Sequence, residues 1–145
     1  MKQNKEPIGI RVIDDQYTAV AGLLQELRRL EKVFGGIEVR FMPAQGLSPK
    51  ERYEGVDIIL LDEDLDDKPD GLKGATVERH MRNAGYTGII ACISSRLVGR
   101  YVASRDHFDK KATVATNDAH RNEFVDWIAR LIREAKKNRK KAKQG

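Results

Sequence analysis

Carboxylates gather at the ends of two apolar runs. Ile8 to Ile13 leads into Asp14-Asp15, and Val56-Asp57-Ile58-Ile59-Leu60-Leu61 leads into Asp62-Glu63-Asp64. In an open parallel sheet, the loops outside the carboxyl ends of the strands share one crevice, so acids distant in sequence can converge there on a single cation. Two later runs end in other useful groups, Ser94-Ser95 and Lys110-Lys111. Two or three carboxylates suit Mg²⁺, a hard ion that takes oxygen ligands and keeps several waters. A lysine ammonium and a serine hydroxyl beside it supply the cationic and hydrogen-bonding groups that a phosphoryl group needs. One carboxylate can itself be the nucleophile, attacking phosphorus in line to form an acyl phosphate.

That chemistry requires elements that bring the run ends together. Ile8 to Ile13 reads as a strand, and Ala19, Val20, Leu23, Leu24, Leu27 and Leu30 recur at helical spacing until Gly35-Gly36 ends the helix. Ile37 to Met42 alternates apolar and polar, as a half-exposed edge strand does, and Ser48-Pro49-Lys50-Glu51 has the N-cap, proline and first turn of a short helix. Residues 56–61 read as a fully buried strand. The Asp-, Pro- and Gly-rich loop 66–74 leads to a helix over about 75–84, closed by Gly85, and Gly88 to Ile93 is a fourth strand. A fourth, short helix is placed around Leu97 to Ala103 and a short fifth strand at His107-Phe108-Asp109. A long final helix carries the stripe Phe124, Val125, Ile128, Leu131 and Ile132, with candidate caps at Thr116, Asn117 and Asp118. Strands and helices in strict alternation predict a doubly wound α/β fold, a parallel sheet covered on both faces.

Composition narrows the function classes. A chain of 145 residues, 40% hydrophobic and 34% charged, fits one domain, and 6% aromatic content is too low for base-stacking platforms to dominate. No apolar run approaches a membrane span and no leader pattern precedes the first strand, so a cytoplasmic location without membrane contact is expected. Cys92 lies within an apolar run and reads as a buried structural thiol. The three histidines share no metal-ligand spacing. The net charge of +5 is local: of 27 basic and 22 acidic residues, seven and one fall in 133–145, leaving 20 against 21 elsewhere. The reading divides the chain into a tail, 1–7, a domain, 8–133, and a basic tail, 134–145, partly helical or disordered, that offers weak electrostatic contact to nucleic acid. Asp57, Asp66, Asp67 and Asp70 read as solvated loop or strand-start acids.

Val12-Ile13-Asp14-Asp15 opening onto a helix, Ile59-Leu60-Leu61-Asp62 before a loop with Gly71, and the weaker Ile93-Ser94-Ser95 and Phe108-Asp109-Lys110 together resemble the receiver (CheY-like) domain of two-component response regulators. The resemblance covers residues 8–133. It implies a flavodoxin-like, five-stranded order 2-1-3-4-5, with Asp62 as phosphoacceptor and Asp15 as direct Mg²⁺ ligand. Asp14 would act on the ion partly through water, and the Asp64 backbone carbonyl would be a further ligand. Ser94 takes the place of the switch hydroxyl and Lys110 that of the phosphate-binding lysine, the register of Phe108-Asp109-Lys110 favouring it over Lys111.

The implied function is that of a stand-alone receiver. It accepts a phosphoryl group from a histidine kinase or phosphotransfer protein, binds a downstream target according to phosphorylation, and catalyses only its own aspartyl phosphorylation and dephosphorylation; a homodimer is an open alternative. Departures are visible. The loop after Asp62 is about a residue longer than usual in the family, and Asp64 and Ser95 occupy positions that tune dephosphorylation. His107 replaces the switch aromatic, and only 15 residues separate Ser94 from Lys110, so the fourth helix is shortened. Two other readings compete. Asp62-Glu63-Asp64 resembles the Asp-x-Asp motif of haloacid-dehalogenase-type phosphatases, with Asp64 as general acid, although that motif ends the first strand of its fold. The other is a degenerate receiver that docks without accepting phosphate.

Overall fold

The computed structural model describes residues 6–14, 17–43, 53, 55–62, 74–94, 107–109 and 118–144. Four strands form the body of a parallel sheet: β1 (Ile8–Asp14), β2 (Ile37–Pro43), β3 (Ile58–Asp62) and β4 (Ile89–Ser94). β1 pairs with β2 on one side and β3 on the other, and β3 pairs with β4, which gives the expected central order 2-1-3-4. A three-residue strand, β5 (His107–Asp109), adds to the far edge by pairing Cys92 to Ser94 with His107 to Asp109. The expected helices around 48–51 and 97–103 lie outside the described residues.

Burial follows the sequence pattern. All five residues of β3 are buried, so this strand is covered on both faces and needs no polar alternation. One face carries α1 (Tyr17–Phe34) and α3 (Asp118–Gln144): Leu23, Leu24, Leu27 and Leu30 from α1 and Phe124, Ile128 and Leu131 from α3 pack over Ile10, Val12, Ile58 and Leu60. The other face carries α2 (Gly74–Asn83), whose Val77 and Met81 meet Ile13, Ile59, Leu61 and Ile90. Cys92 is 1% exposed, in keeping with a structural thiol.

Junctions fix how the elements enter the sheet. Gly35 and Gly36 have φ of 67° and 65°, a left-handed pair that turns the chain from α1 into β2. Glu31, near the end of α1, accepts the Val39 N–H at 2.7 Å and so ties the helix to the strand it feeds. Gly9 is small for a different reason: a Cβ there would lie 2.5 Å from the Gly55 carbonyl oxygen, because the 55–57 segment crosses close to β1.

Tyr86, after α2, closes the second core. Its ring lies 5.9 Å from that of Tyr53, its hydroxyl donates to the Val56 carbonyl at 3.1 Å, and the Arg82 guanidinium sits 5.7 Å from its centroid. Burial first, and then the Asp57 carboxylate, push the phenol well above its ordinary value of 10.0. A phenol whose pKa is raised by folding stabilises the fold fully below the unfolded value. That contribution is lost as pH rises through the folded value, because the unfolded chain ionises first. Stability is therefore expected to fall from about pH 10 upward, and Tyr86→Phe should flatten that limb in denaturant titrations read at several alkaline pH values.

Candidate functional site

The carboxyl ends of the strands place two of the predicted acids side by side. Ile13 pairs with Leu61 across β1 and β3, so Asp14 and Asp62 occupy the next step, as the last residues of adjacent strands. Parallel pairing at one register puts both on the same side of the pleat, the parity of Val12 and Leu60. Asp14 is 0% exposed and Asp62 3%, and among the described residues these are the buried polar or charged side chains. Burying a carboxylate costs free energy unless charge or hydrogen bonds compensate it, and two neighbouring ones also repel. Such an arrangement is retained where it does something other than stabilise the fold.

The same register organises the other strand ends. Asp62 pairs with Ile93 and Ile93 with Phe108, so Asp14, Asp62, Ile93 and Phe108 form one row across the sheet. Ser94, paired with Asp109, stands one step beyond the acids, and Lys110 follows directly in sequence. Thus the backbone brings Asp14, Asp62 and Ser94 to one rim, as the strand assignments required. Asp15, Asp64, Lys110 and Lys111 lie outside the described residues, as do the other residues of 63–73. Among the described residues no group of three or more His, Cys, Asp or Glu converges on a point.

The opposite rim holds what sequence reasoning missed. Asp57, read as a solvated acid, forms a two-point ion pair with Arg139: Nε donates to Oδ1 at 2.8 Å and Nη2 to Oδ2 at 2.7 Å. Asp57 Oδ2 also accepts the Gly9 N–H at 2.9 Å, and Arg139 donates to the carbonyls of Glu6 and Pro7 at 2.7 and 2.8 Å. The hydrogen bonds that Arg139 donates to the Asp57 carboxylate raise its guanidinium above its ordinary value. α3 continues unbroken to Gln144, so residues 134–144, expected as a partly helical or disordered tail, are helix anchored to the sheet. Two signals were available: an acid embedded in the run Val56-Asp57-Ile58, and an arginine between Ala135 and Ala142 on the inward side of the last helix.

The pair is 31% exposed at Arg139 and 15% at Asp57, so solvent weakens it without abolishing it. Arg139→Ala is expected to cost about 1–2 kcal/mol in unfolding free energy. A double-mutant cycle with Asp57→Ala should return a coupling of about 1 kcal/mol, and additive losses would show that the contact is passive. A cleft of about 300 Å³ beside this pair, lined by Tyr53, Tyr86, Thr87, Asn138 and Arg139, is at the wrong end of the sheet to serve the acids.

No family model and no curated protein matches the sequence. Solved structures do match. The receiver domain of the histidine kinase CKI1 from Arabidopsis thaliana, complexed with Mg²⁺ and BeF3⁻, aligns at 18% identity and TM-score 0.56 over 90% of this chain and 90% of its own. The signal receiver domain of the response regulator NarL from Mycobacterium tuberculosis aligns at 19% identity and TM-score 0.56, over 83% and 95% of the two chains. The receiver domain of Ssk1 from Saccharomyces cerevisiae, co-crystallised with the histidine phosphotransfer protein Ypd1, aligns at 14% identity and TM-score 0.50 over 74% and 81%.

Proposed function

From the receiver fold that the chain shares with these proteins, we propose that it is a phosphorelay receiver that takes a phosphoryl group onto Asp62. The observation that carries the reading is the buried pair Asp14 and Asp62 at adjacent strand ends, on the rim where a parallel sheet binds its ligand. A docking fold without phosphate chemistry has no use for two buried acids there. The phosphatase alternative fails on topology, since its Asp-x-Asp motif closes the first strand of that fold and Asp62 closes the third strand here.

The donor set fits a hard divalent cation: Asp14 and Asp62 with Asp15 and the Asp64 carbonyl offer oxygen ligands only. Mg²⁺, when bound, would neutralise the acids and the phosphoryl oxygens. The Asp62 carboxylate oxygen attacks phosphorus. The bond from phosphorus to the donor imidazole nitrogen breaks, and that nitrogen takes a proton from solvent. Lys110 pairs with a phosphoryl oxygen, and Ser94 donates its hydroxyl to another. The donor is a histidine kinase or a phosphotransfer protein, the kind of partner seen with the Ssk1 receiver. A downstream protein reads the face built from residues 96–132. The test is labelling by acetyl phosphate with Mg²⁺. Wild type should gain one hydroxylamine-labile phosphoryl group and Asp62→Ala none, and labelling that survives in the variant would remove Asp62 from its role.

A further inference from the structure

The basic end of α3 is a rigid, one-sided cationic rod, and the geometry points to the phosphate backbone of duplex nucleic acid as its partner. At 3.6 residues per turn, Arg130, Arg133, Lys136, Lys137, Lys140, Lys141 and Lys143 fall within about 160° of the helix circumference. All seven are exposed. The opposite side holds Leu131 and Ala135, buried against the sheet, and Arg139, fixed to Asp57, Glu6 and Pro7. The anchor therefore aims the basic side away from the body and keeps the last two turns from swinging freely. Between Lys136 and Lys143 there is no acid, and Glu134 is the one acid of the sequence from Arg130 onward.

The kind of partner follows from what accompanies the charge. No aromatic or aliphatic side chain interrupts the basic arc, so it offers neither a stacking surface for unpaired bases nor an apolar wedge for a bilayer. The apolar side of the helix is already spent on the core. What remains is a row of flexible cations about 20 Å long, which matches roughly six steps of a duplex strand. Binding of this kind reads charge density and not sequence. It is separate from the acid rim, which lies at the other end of the strands.

The experiment is fluorescence anisotropy with a labelled DNA duplex of arbitrary sequence, using the full chain. Wild type should bind at low salt, with log K falling against log salt at a slope of about −4, on the order of a hundredfold loss between about 50 and about 200 mM. Replacing Lys136, Lys137, Lys140, Lys141 and Lys143 together by glutamine should weaken binding at least tenfold while far-ultraviolet circular dichroism keeps its helical signal. The same five positions as arginine should bind like wild type, and so should Asp62→Ala. No binding at low salt, a slope near zero, or an unchanged glutamine variant would overturn the proposal. So would tighter binding to polyglutamate or to phosphatidylserine vesicles than to the duplex.

Discussion

Phe124→Ala is expected to lower the unfolding free energy by about 3–5 kcal/mol, enough to remove much of the margin of a domain this size. Phe124 is 0% exposed and is among the largest fully buried side chains of the fold. It lies where α3 meets the sheet, 6.2 Å from the Trp127 ring, in the cluster that includes Leu60, Ile93 and Ile128. Truncation removes the transfer free energy of the ring and leaves a cavity that rigid strands on one side cannot collapse to fill. Urea titration should show a lower midpoint with little change in slope. A loss below about 1 kcal/mol would mean that α3 is only loosely seated.

The second large effect has the opposite sign. Asp62→Asn should raise the stability of the metal-free protein by about 1–3 kcal/mol while abolishing phosphoryl acceptance. Two carboxylates on adjacent strands, about 5 Å apart by strand spacing, repel by about 3 kcal/mol at an effective dielectric of about 20, and the interactions that each makes with its surroundings reduce the net figure. Asparagine keeps the shape and removes the charge. Mg²⁺ should stabilise wild type and not this variant, since a ligand that binds only the folded state stabilises in proportion to the logarithm of one plus the ratio of its concentration to its dissociation constant. A less stable variant, or one that Mg²⁺ stabilises as it does wild type, would show that Asp14 and Asp62 serve the fold and do not form a cation site. The trade is familiar in proteins that bury charge for function.

The central strands were legible because each announces itself by composition. Ile58 to Leu61 has no polar residue, which only a strand covered on both faces permits, while Ile37 to Met42 alternates as an edge strand must. The observed β3 begins two residues later than the apolar run suggests. Val56 and Asp57 are held by other bonds, the Val56 N–H to Tyr53 and the Asp57 N–H to Gly9. Asp14 and Asp62 could be placed at one rim from alternation alone, because in a parallel sheet all strand ends of one sense gather together.

The anchor of α3 was not legible in the same way. Local composition made 134–145 look solvated, since a helix of lysines has no reason to stay docked. One arginine 82 residues from its partner docks the helix while its lysines stay exposed, and long-range pairs of this kind leave only a faint trace in sequence. The trace was Asp57 itself, a charge where the strand pattern calls for an apolar residue.

The claim that most needs testing is the nucleophile. Wild-type protein treated with acetyl phosphate and Mg²⁺, then reduced with borohydride and digested, should show modification at one position, Asp62, and no modification when Mg²⁺ is chelated. Modification at Asp14, Asp15 or Asp64 in place of Asp62, or labelling indifferent to chelation, would contradict the account.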